Sequence, residues 1–174
     1  PDAVTYDYLQ GREFAPSAAQ WAESVAWWES LRSDVDAEYD DVIVIDAAEI
    51  APTVTWGITP GQGIGVTAQI PIVEDLPEGD PPNAQEAYQY MNLQPGAPIQ
   101  GTPVDVCFIG SCTNGRLSDL REAAKVVQGK KAAPTVKAFV VPGSERVKQA
   151  AEAEGLDTIF EAAGLEWREA GCSM

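Results

Sequence analysis

The side chains able to do chemistry in this chain are few, and three of them are cysteines: Cys107, Cys112 and Cys172. There is no histidine. That excludes a Ser-His-Asp triad, a Cys-His pair and any imidazole-bearing zinc site within the chain. Thiolate, carboxylate and hydroxyl chemistry remain, together with whatever groups are supplied from elsewhere. An odd cysteine count in an acidic, cytosol-like chain argues against a disulfide framework.

Cys112 stands in Phe108-Ile-Gly-Ser-Cys-Thr-Asn-Gly-Arg116. An apolar strand runs into a loop of Gly110, Ser111, Cys112, Thr113 and Asn114, and a helix follows. In doubly wound folds such turns face the ligand crevice. The free N–H groups and positive dipole end of the helix favour a thiolate at Cys112 and attract an anionic ligand. Gly110 and Gly115 permit close backbone approach. The plainer reading is a tight turn with an inert cysteine, and physics alone leaves both open. Ala170-Gly-Cys-Ser-Met174 is a second small-residue loop. Two such loops on one sheet edge can bring Cys112 and Cys172 together across 60 positions. Two cysteines alone make neither a zinc site nor a cluster site. Arg116 can meet a substrate carboxylate or form a surface ion pair; a cation at a helix start opposes the dipole. Cys107, inside the strand, reads as a small buried hydrophobe.

Elements must position these residues. Val104 to Ile109 reads as a nearly continuous apolar strand. Leu117, Leu120, Ala124 and Val127 mark one face of a helix ending at Gly129. Val136 to Val141 is a second strand. Ser144 caps a helix carrying Val147 and Ala151 and ending at Gly155, and Asp157 caps a shorter one ending at Gly164. Leu165 to Trp167 is a third strand. This β-α-β-α-α-β order predicts an α/β class: a three-layer α/β/α arrangement with a mostly parallel sheet, part of a multidomain protein. Upstream, Val4 to Gln10 reads as a helix start. Ser17 caps a helix to about Arg32, with Trp21, Val25, Trp28 and Leu31 on one face. Asp41 to Ile45 reads as a buried strand. Asn83 caps a short helix to Leu93. Pro71 to Asn83, with its acidic run Glu74 to Asp80, reads as a solvated loop. Gln94 to Pro103 is rich in proline and glycine, which places a linker at 98–103 between a unit of residues 1–97 and one of residues 104–174.

Bulk properties narrow the function. The formal net charge is −16. Such a surface repels phosphate backbones, so nucleic acid is not an expected partner. It also repels an anionic substrate unless positive groups are supplied locally or by a partner. No apolar run approaches the ~18 residues of a membrane span, and no signal-peptide layout opens the chain, so the cytoplasm is the expected address. The Gly57, Gly61, Gly63, Gly65 run lacks the spacing of a nucleotide fingerprint and reads as a turn-rich connector. The five tryptophans read as packing residues. Pro1 and the stop at Met174 read as cuts within a longer protein.

The segment from Val104 to Met174 resembles the cluster-bearing domain of the aconitase superfamily. The motif Gly110-Ser-Cys-Thr-Asn114 carries the resemblance, paired with Gly171-Cys-Ser-Met174, which is similar to the bacterial isopropylmalate branch of that superfamily. Val140-Val-Pro-Gly-Ser144, Ala151-Glu-Ala-Glu-Gly-Leu156 and Glu166-Trp-Arg-Glu169 are similar to that branch as well. So are Pro1-Asp2, Thr55-Trp-Gly57 and Pro60-Gly-Gln62. The resemblance implies that Cys112 and Cys172 are two of three ligands to a 4Fe–4S cluster, the third being a cysteine just after Met174. It implies a hydro-lyase acting on a small anionic dicarboxylate in leucine biosynthesis, with a separate small subunit as partner. Ser111, Thr113, Asn114 and Arg116 become substrate-side candidates. The base and the substrate arginines are expected outside this chain, which is therefore expected to be inactive and cluster-free by itself. A dehydratase for a related 2-hydroxy diacid (citramalate, dimethylmalate or homocitrate) and a non-catalytic α/β module are the alternatives.

Overall fold

The structure, a computed structural model, describes residues 1–76 and 81–172. Part of the acidic loop and the last two residues of the second cysteine loop, Ser173 and Met174, lie outside the described residues. The chain divides into two compact units, Pro1–Ile50 and Ala51–Met174.

In the first unit, α1 spans Ala3–Leu9 and α2 spans Ala18–Glu29. Asp2 caps α1 by accepting the Thr5 amide at 2.9 Å, and Ser17 stands at the N-cap position of α2. The two helices are joined by aromatic contacts. Tyr6 stacks on Trp28 with centroids 5.8 Å apart, and Trp21 meets the same ring edge-on. Trp27 points away and is exposed, so the expectation that all five tryptophans pack inside is corrected there.

The buried strand expected at Asp41 to Ile45 does not form. Its backbone is irregular, and Val42, Ile43, Val44 and Ile45 are 69–89% exposed. A strand needs a neighbour for its N–H and C=O groups, and among the described residues none pairs with this run.

The second unit opens with a hairpin. Strand β1, Thr53–Thr55, pairs antiparallel with β2, Gly63–Gly65. The glycine run expected to be a connector therefore supplies a strand and a turn. The Gln62 carbonyl oxygen of the side chain accepts the amides of Ile58 and Thr59 at 2.7 and 3.2 Å, pinning that turn. Helix α3 spans Pro81–Met91 and starts before Asn83, as proline tolerates a first helical turn. Trp56 stacks on Tyr88 at 5.1 Å, and both belong to a small core with Ile70, Ala84 and Ala87.

Strand β3 is Val106–Gly110, β4 is Lys137–Val141 and β5 is Glu166–Trp167. They form a parallel sheet in the order β3-β4-β5. A one-turn helix, α4 (Ser111–Asn114), follows β3 and leads into α5 (Leu117–Val127). Helices α6 (Glu145–Ala153) and α7 (Leu156–Ala162) join β4 to β5. Ser144 caps α6 by accepting the Val147 amide, as expected from sequence. Asp157 instead lies inside α7, and Gly155, in the left-handed region, takes the N-cap position.

The mixed α/β class and the parallel sheet are those expected. Helices α5, α6 and α7 share one core with the sheet, built on Leu120, Ala124, Val140, Ala151 and Phe160. Burying a Phe or Leu side chain is worth roughly 1.5–3 kcal/mol, so this cluster fixes the helices to the strands. The alternate residues of the strands, Phe108 and Phe139, meet edge-on at 4.9 Å on the other face.

Candidate functional site

All three strands of the sheet point the same way, so the loops after β3 and β5 leave at one edge. Strand β4 lies between them, and neighbouring strands are about 4.8 Å apart. The two loops therefore start about 10 Å apart and must lean inward to touch.

The first loop is bent by unusual backbone. Gly110 has φ +107° and Ser111 has φ +83°. A β-carbon on Gly110 would sit 2.1 Å from the Val141 carbonyl oxygen. One on Gly115 would sit 2.4 Å from the Ser111 carbonyl oxygen and 2.8 Å from the Gly143 nitrogen. The Gly143 amide donates to the Gly115 carbonyl at 2.9 Å. Three glycines thus press the α4 turn against the end of β4, and no side chain could take the place of Gly110 or Gly115 without moving the loop.

The second loop is tied to the same strand. The amide of Arg168 donates to the Val140 carbonyl at 3.1 Å, and that of Gly171 donates to the Pro142 carbonyl at 3.2 Å. These bonds carry the chain along β4 and deliver Cys172 beside Cys112. The two sulfurs are 3.6 Å apart, and both residues are exposed. The Thr113 hydroxyl is 3.7 Å from the Cys112 sulfur. Hydrogen bonding to Thr113 and then to the Cys172 thiol holds the Cys112 thiol below its ordinary range, because both favour the thiolate. Among the described residues no third Cys, Asp or Glu joins the pair.

The other candidates are placed as follows. Thr113 and Asn114 are exposed on α4, and Ser111 is half-buried at its start. Arg116 is exposed at the N-cap of α5, where its amide donates to the Asp119 carboxylate at 3.1 Å. Cys112 lies on the separate α4 turn, ahead of α5 rather than at its first turn. Cys107 packs against the helix-covered core but is half-buried rather than fully buried, because β3 is an edge strand among the described residues.

Sequence reasoning did not single out Arg168. Phe108, Phe139, Val141, Trp167, Arg168 and Cys172 line an open cleft of about 550 Å³ beside the cysteine pair. The Arg168 guanidinium lies 3.8 Å from the Phe139 ring centroid and pairs with Glu166 at 2.6 Å. The available signal was parity: residue 168 follows β5 with the same alternation as Glu166, on the face of Phe139. No helix among the described residues is long and apolar enough to cross a membrane.

The aconitase family (aconitate hydratase) matches residues 1–174. The chain is 75% identical over 174 residues to a 3-isopropylmalate dehydratase large subunit of Synechococcus elongatus. It is 73% identical to the protein of the same name from Trichormus variabilis and 72% to that of a Nostoc species. Each alignment covers 100% of this chain and 37% of the relative's length. With a family match along its whole length and a thiol pair at the carboxyl edge of its parallel sheet, the chain belongs to the aconitase family.

Proposed function

We propose that this chain is a segment of the large subunit of a 3-isopropylmalate dehydratase. The full protein would convert 2-isopropylmalate to 3-isopropylmalate by loss and re-addition of water, through 2-isopropylmaleate, in leucine biosynthesis. The observation that carries the reading is the Cys112–Cys172 pair at 3.6 Å, held by backbone on a shared sheet edge. Identity of 70–75% to proteins of that name supports the substrate.

The donor set fits an iron–sulfur centre. Exposed thiols on loops are its usual ligands, and hydrogen bonding to Thr113 and Cys172 holds one of these two, Cys112, below its ordinary range. Cys112 and Cys172 would hold two irons, and a third cysteine just after Met174 would complete the set. When bound, the 4Fe–4S cluster supplies a Lewis-acidic iron that helps hydroxide leave a 2-hydroxy acid. This chain's own part is positioning. Gly110, Gly115 and Gly143 fix the loop against β4, and Thr113 favours the thiolate form of Cys112. Ser111, Asn114 and Arg116 stand at the same edge as substrate-side groups, and Arg116 adds a cation where a dicarboxylate would approach.

The remaining assignments follow from this reading. The two separate hydrophobic clusters, both within the unit Ala51–Met174, support a boundary near residues 98–103; residues 1–97 are read as part of a preceding domain and residues 104–174 as the first part of the cluster-bearing domain. A separate small subunit is the partner, which the "large subunit" of the relatives' names supports. The cytoplasm is the location. The base and further substrate cations come from outside this chain, and the net charge of −16 supports that need.

The test is turnover by the full-length large subunit mixed with its small subunit, with 2-isopropylmalate set against citramalate. Preferential turnover of 2-isopropylmalate and about four irons per large subunit are expected, as a 4Fe–4S centre requires. Iron-free active enzyme, or preference for citramalate, would overturn the reading.

A further inference from the structure

We propose that Lys148 and Arg168 are positioning residues for Cys172: they clasp the second cysteine loop from opposite faces of the sheet and hold its sulfur against that of Cys112. The clasp rests on geometry; its consequence for iron rests on the cluster reading above.

The loop leaves the sheet at the end of β5, where successive side chains take alternate faces. Trp167 turns to the helix side. Its ring stacks on Phe160 at 5.9 Å, and its indole N–H donates to Glu152 of α6 at 3.0 Å. Arg168 turns to the open side, where its guanidinium lies 3.8 Å from the Phe139 ring centroid. Glu169 returns to the helix side and accepts from the Lys148 ammonium of α6 at 2.7 Å. Consecutive residues just ahead of Cys172 are thus gripped by α6, by β4 and by α6 again.

The grips fall where the backbone offers least. Arg168 donates to the Val140 carbonyl and Gly171 to the Pro142 carbonyl. Between them, Glu169 and Ala170 make no backbone hydrogen bond among the described residues. Packing does not hold the chain there either, since a β-carbon on Gly171 would meet nothing within 4 Å. Lys148 supplies a fixed anchor: its side chain is 15% exposed, against 82% for Glu169. Its stem lies along the protein surface and its charge reaches out to the loop. Glu152 stands 3.8 Å from the same ammonium and also accepts from Trp167, so strand, loop and helix share one network. The loop is therefore ordered on folding, and the two sulfurs meet before any ligand arrives to draw them together.

The first measurement uses the reduced, metal-free 174-residue chain carrying Cys107→Ala, which leaves only the Cys112–Cys172 pair. The probe is dibromobimane, whose two arms alkylate two neighbouring thiols and which fluoresces strongly once both have reacted. Peptide mass should show the two cysteines bridged. Lys148→Met and Arg168→Met should each lower the ratio of bridged to singly alkylated product by about three- to fivefold, the scale of one exposed grip. Glu169→Gln removes the Lys148 grip from the loop side, leaves α6 untouched, and should match Lys148→Met. Lys148→Arg keeps a cation within reach of Glu169 and should restore most of the bridging. These ratios report where the loop sits in the folded chain, so they should fall even where the urea midpoint is unchanged. An unchanged ratio in Glu169→Gln or in Arg168→Met, or a loss that Lys148→Arg does not restore, would overturn the proposal.

The second measurement uses the full-length large subunit, loaded with iron without air, and reads iron release to a chelator. Lys148→Met and Glu169→Gln should release iron about three to five times faster than the unmodified subunit. Equal release beside a lowered bridging ratio would overturn the consequence for iron and leave the clasp standing. No iron in the unmodified subunit would overturn the cluster reading, while the bridging ratio still decides the clasp.

Discussion

A methyl group on Gly110 would lie 2.1 Å from the carbonyl oxygen of Val141. The end of β3 and the end of β4 are in backbone contact at that point, and the loop bearing Cys112 begins there. Gly110 also has φ +107°, which side-chain-bearing residues rarely adopt. Gly110→Ala should therefore destabilise the protein by about 2–4 kcal/mol through strain and overlap together. Gly129→Ala, whose β-carbon would meet nothing within 4 Å, isolates the contribution of positive φ alone. Urea unfolding should show the larger loss at Gly110. Equal losses would show that the Val141 contact is not the constraint.

The Cys112 thiol is held below its ordinary range by the Thr113 hydroxyl and by the Cys172 thiol. Hydrogen bonds to the thiolate favour it, so alkylation of Cys112 should begin at lower pH than for an ordinary cysteine. Thr113→Val removes the largest contribution and should move the alkylation profile upward in pH. The rate of iodoacetamide labelling at Cys112, followed by peptide mass across pH, measures this. A profile unmoved by Thr113→Val would assign the effect elsewhere.

Val42 and Val44 are 69% and 89% exposed. Their replacement by lysine should change the stability of this chain by no more than about 0.5 kcal/mol, as for other surface sites. The buried strand expected from the sequence would lose several times that from the same double substitution. A large drop in the urea midpoint would restore the buried-strand reading. Chromatography adds a second readout, because removing an exposed apolar run should reduce self-association.

That segment shows where the sequence is legible and where it is not. The β-α-β-α-α-β half could be read because its signals are local and its neighbours are present. Leu120 and Ala124 recur at helical spacing, Ser144 caps its helix, and Gly129, Gly155 and Gly164 follow the helices they end. Asp41 to Ile45 carries the same apolar signal, but pattern cannot say whether a pairing strand lies beside it. At the site, both cysteine loops were legible as small-residue turns after strands. Their 3.6 Å contact was not, because it depends on Gly143 and Pro142 offering backbone groups from the strand between them. Arg168 was missed for a related reason: its place beside Phe139 follows from the β4–β5 register, which no local pattern encodes.

On the proposed function, the three cysteines should separate cleanly in the full-length large subunit assayed together with its small subunit. Cys112 and Cys172 share an exposed edge, whereas Cys107 packs against the core with Ile109, Val127 and Val136 nearby. A serine hydroxyl is hard to deprotonate and is a harder ligand than a thiolate, so iron bound through it is weakly held. Cys112→Ser and Cys172→Ser should therefore lose most of their iron and all measurable turnover. Cys107→Ala removes one partly buried sulfur at a cost of about 1 kcal/mol, which leaves the loops in place. It should keep near-normal iron and hydrate 2-isopropylmaleate close to the unmodified rate. The three variants, purified without air, can be compared by iron content and by that hydration assay. Normal iron in Cys112→Ser, or iron lost only in Cys107→Ala, would mean that the helix-covered side of β3, and not the sheet edge, faces the metal.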